Sequence, residues 1–438
     1  MDMAYLPAGA GTVTLAASGV GKQAMSIESR ASWVVAAVAL CTLAVSFGSP
    51  YLSIVALKAI AAETGGQRSI PALANSLAWF GAAIGGIAMG AIAERIGVRW
   101  TVMFGGSMIC LGLILSSYGE IWQLYVGHGL FIGLLGNAGI NAPLMIYISK
   151  WFDRRRGTAL ALVSSGQYVA GAVWPPIFER MMSSMGWRKT MLIYGLIVAA
   201  VVVPLALIFL RKPPAEPATA MPGSPKPVVA GAPVLGLPPN LVFALLAIAN
   251  FLCCVPMAMP TAHLIAFCGD VGLTAAKGAA MLSLLLTCAV VSRQLWGLLS
   301  DRIGGLRTIL WSSLAQMMAI ASFSLTQSEA GLFTVATLFG LGYSGLIPAY
   351  VLAIRQLFPA SEMSWRVPST LLFGGSGMAT GGWLAGYIYD QAGFYAPAFA
   401  TGIAFNFANF VIIAFLVWRS RRTSTRDRAS DRTRLATA

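Results

Sequence analysis

The sequence predicts an all-α polytopic membrane protein, with twelve transmembrane helices in two six-helix bundles and both termini cytoplasmic. Three observations predict it. Hydrophobic residues make up 57% of the 438 positions and charged residues 10%, where a soluble domain carries about 25% charged. Twelve mostly apolar runs reach the roughly 20 residues that a helix needs to cross hydrocarbon. A charged loop pattern occurs twice, once in each half of the chain.

In chain order, residues 1–30 lack a basic segment followed by an apolar core and a cleavage site, and read as a flexible cytoplasmic leader. The first six spans are expected at 33–57, 71–93, 101–118, 121–148, 157–178 and 189–210, in an N-terminal bundle of 31–210. Residues 211–240 are rich in proline, alanine and glycine and read as a linker. The second six are expected at 241–267, 275–299, 307–326, 330–354, 367–388 and 396–418, in a C-terminal bundle of 241–420. Residues 421–438 form a basic cytoplasmic tail. Each run must be helical, because irregular backbone facing lipid leaves its polar groups unsatisfied. The Trp174-Pro175-Pro176 run is expected to bend or end the fifth helix. Pro256 and Pro260 are expected to interrupt the seventh, with Asn240 as its cap.

The repeated pattern follows the second and eighth spans. It reads Gly90-Ala-Ile-Ala-Glu94-Arg95-Ile-Gly97-Val-Arg99, then Gly297-Leu-Leu-Ser-Asp301-Arg302-Ile-Gly304-Gly-Leu-Arg307. Six helices, a linker and six more make a parallel internal duplication. A net charge of +14 could suggest nucleic acid, but the cations lie in short loops and in the tail, where topology and anionic lipid headgroups account for them. With the termini inside, twenty-two lysines and arginines are cytoplasmic and six external, which sets the orientation. Arg293, inside the eighth span, is left over.

The duplicated loop resembles the motif of the major facilitator superfamily. Within it, four passages resemble the monocarboxylate porters and the oxalate/formate exchangers. These are Phe47-Gly48-Ser-Pro50 with Lys58; Lys150-Trp151-Phe152-Asp-Arg154-Arg155-Arg156-Gly157; His263 followed by Asp270-Val-Gly272; and Arg293-Gln-Leu-Trp296-Gly297. The resemblance implies that Gly90, Glu94, Arg95, Arg99, Gly297, Asp301, Arg302 and Arg307 form a cytoplasmic latch. The alternative is a topological anchor alone. Proton-coupled relatives carry a lysine–aspartate pair whose positions here hold Tyr51 and Ala289. Dicarboxylate exchangers add a lysine in the eleventh helix, and 367–388 contains none.

Arg293 lies eight residues before Asp301, about 12 Å along a helix and so near mid-membrane. Placing arginine there costs about 2.5–3.5 kcal/mol on insertion scales. No acidic residue lies deep in a span. The guanidinium fork suits a carboxylate in two-point contact, so the expected partner is an anionic substrate; the alternative is snorkelling or pairing with backbone carbonyls. His263 is expected to assist as a hydrogen-bond donor or proton carrier, against the alternative of a packing histidine. Tyr343, Asn141 and Tyr51 are candidate polar groups in the same cavity, with Asn141 and Asn137 equally suited to helix–helix hydrogen bonds. Trp79, Trp174, Trp296 and Trp383 are candidate cavity walls.

The sequence holds no phosphate-binding GxxxxGK[ST] loop, no nucleophile–histidine–acid set, and no metal-ligand spacing among its six cysteines and two histidines. No cofactor is expected, and a catalytic role is excluded. The expectation is a secondary transporter of small organic monocarboxylates, working by exchange or with protons, monomeric, in a bacterial cytoplasmic membrane. Efflux of drugs or aromatic compounds on the same fold is the first alternative. A non-transporting sensor is the second.

Overall fold

The computed structural model describes residues 28–152, 155–211 and 233–437. The leader through residue 27 and the linker at 212–232 lie outside the described residues. Among those described, the chain is helical from end to end, with a single isolated bridge between Val234 and Leu237 as its only β pairing. Among the described residues, nine helical stretches are long and apolar enough to cross a membrane.

The N-terminal half contains α1 (Arg30–Ser46), α2 (Gly48–Val55), α3 (Leu57–Glu63), α4 (Ser69–Ile96) and α5 (Val98–Ser116). It continues with α6 (Ile121–Val126), a π-helical segment (Gly127–Asn137), α7 (Ala138–Ser149), α8 (Arg156–Ser164) and α9 (Gly166–Phe209). The C-terminal half contains α10 (Pro239–Asp270), α11 (Ala275–Ile303), α12 (Gly305–Phe323), α13 (Glu329–Tyr343), α14 (Leu346–Leu357), α15 (Met363–Ala392) and α16 (Ala396–Thr437). The halves meet where α4 packs on α15 and α9 on α11.

Local chemistry explains where the helices depart from the expected boundaries. The Trp174-Pro175-Pro176 run does not end a helix: α9 passes through it, and the break comes at Gly186, with φ of 79°. Pro176 has no N–H to give the carbonyl one turn earlier, and that carbonyl, on Ala172, accepts instead from Ser283 Oγ of α11. Likewise α10 is continuous through Pro256 and Pro260. Asn240 is not its cap; the cap position is Pro238, and Asn240 Oδ1 accepts from Arg366 Nη2 at 3.1 Å. The tenth expected span divides at Ser344–Gly345, where a Cβ on Gly345 would meet the Trp296 side chain at 2.4 Å. The tail expected from 421 continues as helix, because α16 runs to Thr437.

α12 and α15 are long as well but are not apolar enough to count among the nine stretches. In α12 polar side chains find partners inside the bundle, as hydrocarbon requires. Ser312 Oγ donates to the Gly342 carbonyl at 2.6 Å, Ser313 Oγ to Asn406 Oδ1 at 2.8 Å, and Gln316 Nε2 to the Cys253 carbonyl at 3.1 Å. Outward-facing positions such as Phe80, Ile84, Ile87, Leu196, Ile208 and Leu298 leave large apolar side chains exposed, as a lipid-facing surface does.

Candidate functional site

A cavity of about 60 Å³ lies between the halves. Its polar lining is Tyr51 from α2, Asn75 from α4, Gln167 and Tyr168 from α9, Thr261 from α10 and Tyr343 from α13. The rest is apolar, including Trp79, Met257, Ile347 and Met378, and none of the described residues that line it is charged. Ligand pockets usually measure about 300–1,000 Å³, so the walls must part to admit a solute.

Two of the expected site residues line this cavity. Tyr343 is the last residue of α13, at the break before α14, and its hydroxyl is buried with no hydrogen-bond partner among the described residues. Tyr51 packs its ring on Gly171 of α9, where a Cβ would approach the ring to 2.5 Å. Arg293 stands outside the lining, behind Tyr168. Its Nη1 donates to the Ser164 carbonyl at 3.1 Å, and its guanidinium carbon lies 4.9 Å from the centre of the Tyr168 ring. Its Nε is buried without a partner. None of the five ion pairs among the described residues involves it. Asn141 is not in the lining; its Oδ1, like that of Asn137, is buried without a partner. Of the four tryptophans, only Trp79 reaches the cavity; Trp174 Nε1 donates to the Ala44 carbonyl and Trp296 Nε1 to that of Leu341, both at 2.8 Å.

His263 is placed elsewhere. It is fully buried and absent from the cavity wall. Nε2 lies 2.8 Å from the Gly382 carbonyl and Nδ1 lies 2.9 Å from the Tyr395 hydroxyl. A carbonyl only accepts, so Nε2 carries the proton and Nδ1 accepts from Tyr395. Both nitrogens are therefore occupied within the C-terminal half, and neither faces the cavity.

Tyr395 belongs to a charged cluster that joins the two halves at one end of the molecule. Arg68, just before α4, reaches the Asp270 carboxylate in two-point contact, with Nη1 to Oδ2 at 2.5 Å and Nη2 to Oδ1 at 2.6 Å. Its Nη1 also donates to the Tyr395 hydroxyl at 2.9 Å, and the guanidinium lies 3.7 Å from the centre of the Tyr389 ring. Lys58 Nζ lies 2.9 Å from Asp270 Oδ1. Asp390 of α15 accepts from the backbone N–H of Arg68 at 2.8 Å and of Ser69 at 3.0 Å. The C-terminal half thus supplies the carboxylate at the N-terminus of α4, where exposed N–H groups and the helix dipole favour an anion. In the sequence these groups are scattered: Asp270 lies in one of the passages that carry the resemblance, and Arg68 lies in a loop 202 residues away.

At the opposite ends of α4 and α11, the repeated loops are not joined. Glu94, Arg95, Asp301, Arg302 and Arg307 are exposed and form no ion pair among the described residues. Arg99 donates to the Leu207 carbonyl in its own half. Gly90 lies against Ile146, and a Cβ on Gly297 would meet nothing within 4 Å. Gly297 therefore makes no close contact with another helix among the described residues.

The chain belongs to the major facilitator superfamily: the model of that family matches residues 38–364 and 257–437. It is an integral membrane transporter of a small-molecule substrate, not an enzyme. Similar proteins include the MFS-type transporter pynF of Aspergillus niger, 25% identical over 65% of each chain. The MFS transporter asaE of Aspergillus flavus is 26% identical over 83% of this chain and 81% of its own. Monocarboxylate transporter 13 of Bos taurus is 25% identical over 77% of each. Among solved structures, a bacterial homologue of the human lysosomal transporter Spinster, in an inward-facing and occupied conformation, aligns with a TM-score of 0.67. That alignment covers 89% of this chain and 97% of the other at 17% identity, a likeness of fold.

Proposed function

We propose that the protein carries small organic monocarboxylates across the membrane by alternating access, with Arg293 binding the carboxylate. The observation that carries this reading is the open side of the Arg293 guanidinium. It is buried at Nε, has no acidic partner among the described residues, and stands one ring away from an uncharged cavity. A cation kept at that depth without a counter-ion is offset when an anion arrives. The similarity to monocarboxylate transporter 13 supports the same substrate class. One cation and a largely apolar wall suit one carboxylate on an apolar body, with Tyr343 and Tyr51 as hydroxyl partners. His263 acts at the charged cluster rather than on substrate, so any proton coupling does not run through it as a substrate-side group.

In this reading the chain crosses the membrane twelve times. The 53 residues of Gly157–Phe209 would extend about 80 Å as one helix, so they make two crossings joined at Gly186. α12 and α15 supply two more. The excess of lysine and arginine places the termini inside, and hence the Arg68–Asp270–Asp390 cluster outside. The state described is then closed outside, with the cytoplasmic latch of Glu94 and Asp301 disengaged, and the two sets of contacts alternate during transport. A bacterial cytoplasmic membrane remains the expected location.

The uncharged cavity lining also favours a second reading, export of neutral aromatic compounds. Uptake and efflux in proteoliposomes separate the two. Labelled pyruvate or benzoate should accumulate, and succinate, neutral aromatics and organic cations should not. Transport of neutral aromatics without transport of either acid would contradict the monocarboxylate reading.

A further inference from the structure

We propose that Tyr168 is the positioning residue of the carboxylate site, holding the Arg293 guanidinium so that one two-donor edge stays free of protein partners. The inference rests on the monocarboxylate reading and adds to it a residue that no motif pointed to.

A guanidinium has two faces and several donor edges. Here one face lies 4.9 Å from the centre of the Tyr168 ring, inside the range of a cation–π contact. The Nη1 donor is held by the Ser164 carbonyl at 3.1 Å. The remaining edge, formed by Nε and Nη2, has no hydrogen-bond partner among the described residues, and its Nε is buried. That edge matches the two oxygens of a carboxylate. Tyr168 is itself fixed from the far side by Tyr343, edge-on at 6.1 Å with 81° between the rings. Both tyrosines line the cavity, so the ring that contacts Arg293 also borders the space where substrate enters.

Ser164 and Tyr168 belong to the N-terminal half, and Arg293 and Tyr343 to the C-terminal half. The open edge is therefore set only while the halves are apposed as they are here. When they swing apart on this side, the guanidinium loses its orienting face and its carbonyl partner together. Carboxylate affinity is in this way tied to the arrangement of the bundles, although Tyr168 need not touch the carboxylate.

Two measurements on purified full-length protein test this, with Tyr168→Phe and Tyr168→Leu as variants. In the first, phenylglyoxal modifies exposed arginines, and mass spectrometry of the peptide containing Arg293 gives its rate. The leucine variant should react several-fold faster than wild type, because the covering ring is gone; the phenylalanine variant should match wild type. Equal rates in all three overturn the placement. In the second, pyruvate and benzoate are titrated while the melting temperature is followed. Loss of a cation–π contact predicts binding roughly 3- to 30-fold weaker in the leucine variant and within about twofold of wild type in the phenylalanine variant. Unchanged or tighter binding in the leucine variant overturns the positioning role while leaving the monocarboxylate reading intact. If neither acid stabilises wild type, that reading fails instead, and the modification rates still decide whether Tyr168 holds Arg293.

Discussion

Replacing Arg68 with alanine removes the side chain that ties the two halves together at the charged end of the molecule. The variant loses the two-point contact to Asp270, the bond to Tyr395 and the face of Tyr389. It keeps the backbone bonds from residues 68 and 69 to Asp390. Hydrogen bonds to charged groups contribute about 1.5–3 kcal/mol net, and exposed ion pairs far less. The Arg68 side chain is 9% exposed and that of Asp270 25%, so the contact falls between those cases. A total of about 2–4 kcal/mol then favours the state closed at this end, and its loss shifts the balance between states by roughly 30- to 700-fold. Spin labels on cysteines introduced at Gln67 and Phe394, both exposed, in a background lacking Cys41, report the separation across the cluster. Wild type should give one short distance. Arg68→Ala should give a second, longer population, and Asp270→Asn should resemble it. A distance distribution unchanged by both substitutions would refute the assignment of this cluster as the contact that closes the outer side.

Three further expectations follow from the same contacts. His263→Gln should loosen the cluster through Tyr395, giving a weaker version of the Arg68→Ala distance change, while carboxylate binding stays within a few-fold of wild type; complete loss of binding would return His263 to the substrate site. Gly381→Ala should lower the melting temperature, because its Cβ would meet the Val255 carbonyl oxygen at 2.0 Å and overpacking of that kind costs about 1–3 kcal/mol; an unchanged melting temperature would mean that α10 and α15 separate more freely than their packing implies. Cysteine introduced at position 216 or 430 should react with an impermeant reagent only from the cytoplasmic side, and at 65 or 329 only from outside; the reverse pattern would invert the topology and with it the naming of the two ends.

The helical membrane fold was legible because lipid imposes a simple rule on sequence: each crossing must be an apolar helix that satisfies its own backbone. Boundaries were less legible where tertiary contacts replaced local rules. Pro176 did not stop α9, because Ser283 of another helix takes up the freed Ala172 carbonyl. Arg293 stood out in the sequence through its depth and charge alone. Its neighbour Tyr168 was not, since an aromatic residue in an apolar run carries no mark of what it faces. For His263, spacing to Arg293 suggested a shared site, while the structure binds both nitrogens to Tyr395 and Gly382. The charged cluster was missed because its members, Lys58, Arg68, Asp270 and Asp390, come from four separate chain segments, and only folding brings them together.

The central claim is that Arg293 holds the substrate carboxylate, and carboxylate-dependent thermal stabilisation of the purified protein tests it most directly. Wild type should be increasingly stabilised as ligand is added, with the logarithmic dependence on concentration expected when a ligand binds only the folded state. Arg293→Lys keeps a charge but not the planar two-donor edge. Its apparent affinity should fall by roughly one to two orders of magnitude, corresponding to about 1.5–3 kcal/mol. Arg293→Gln should show no stabilisation by carboxylate, and should melt no lower than empty wild type, since an unpaired cation has been removed. Stabilisation of the glutamine variant by pyruvate or benzoate, at concentrations that stabilise wild type, would contradict the account and make Arg293 a structural residue.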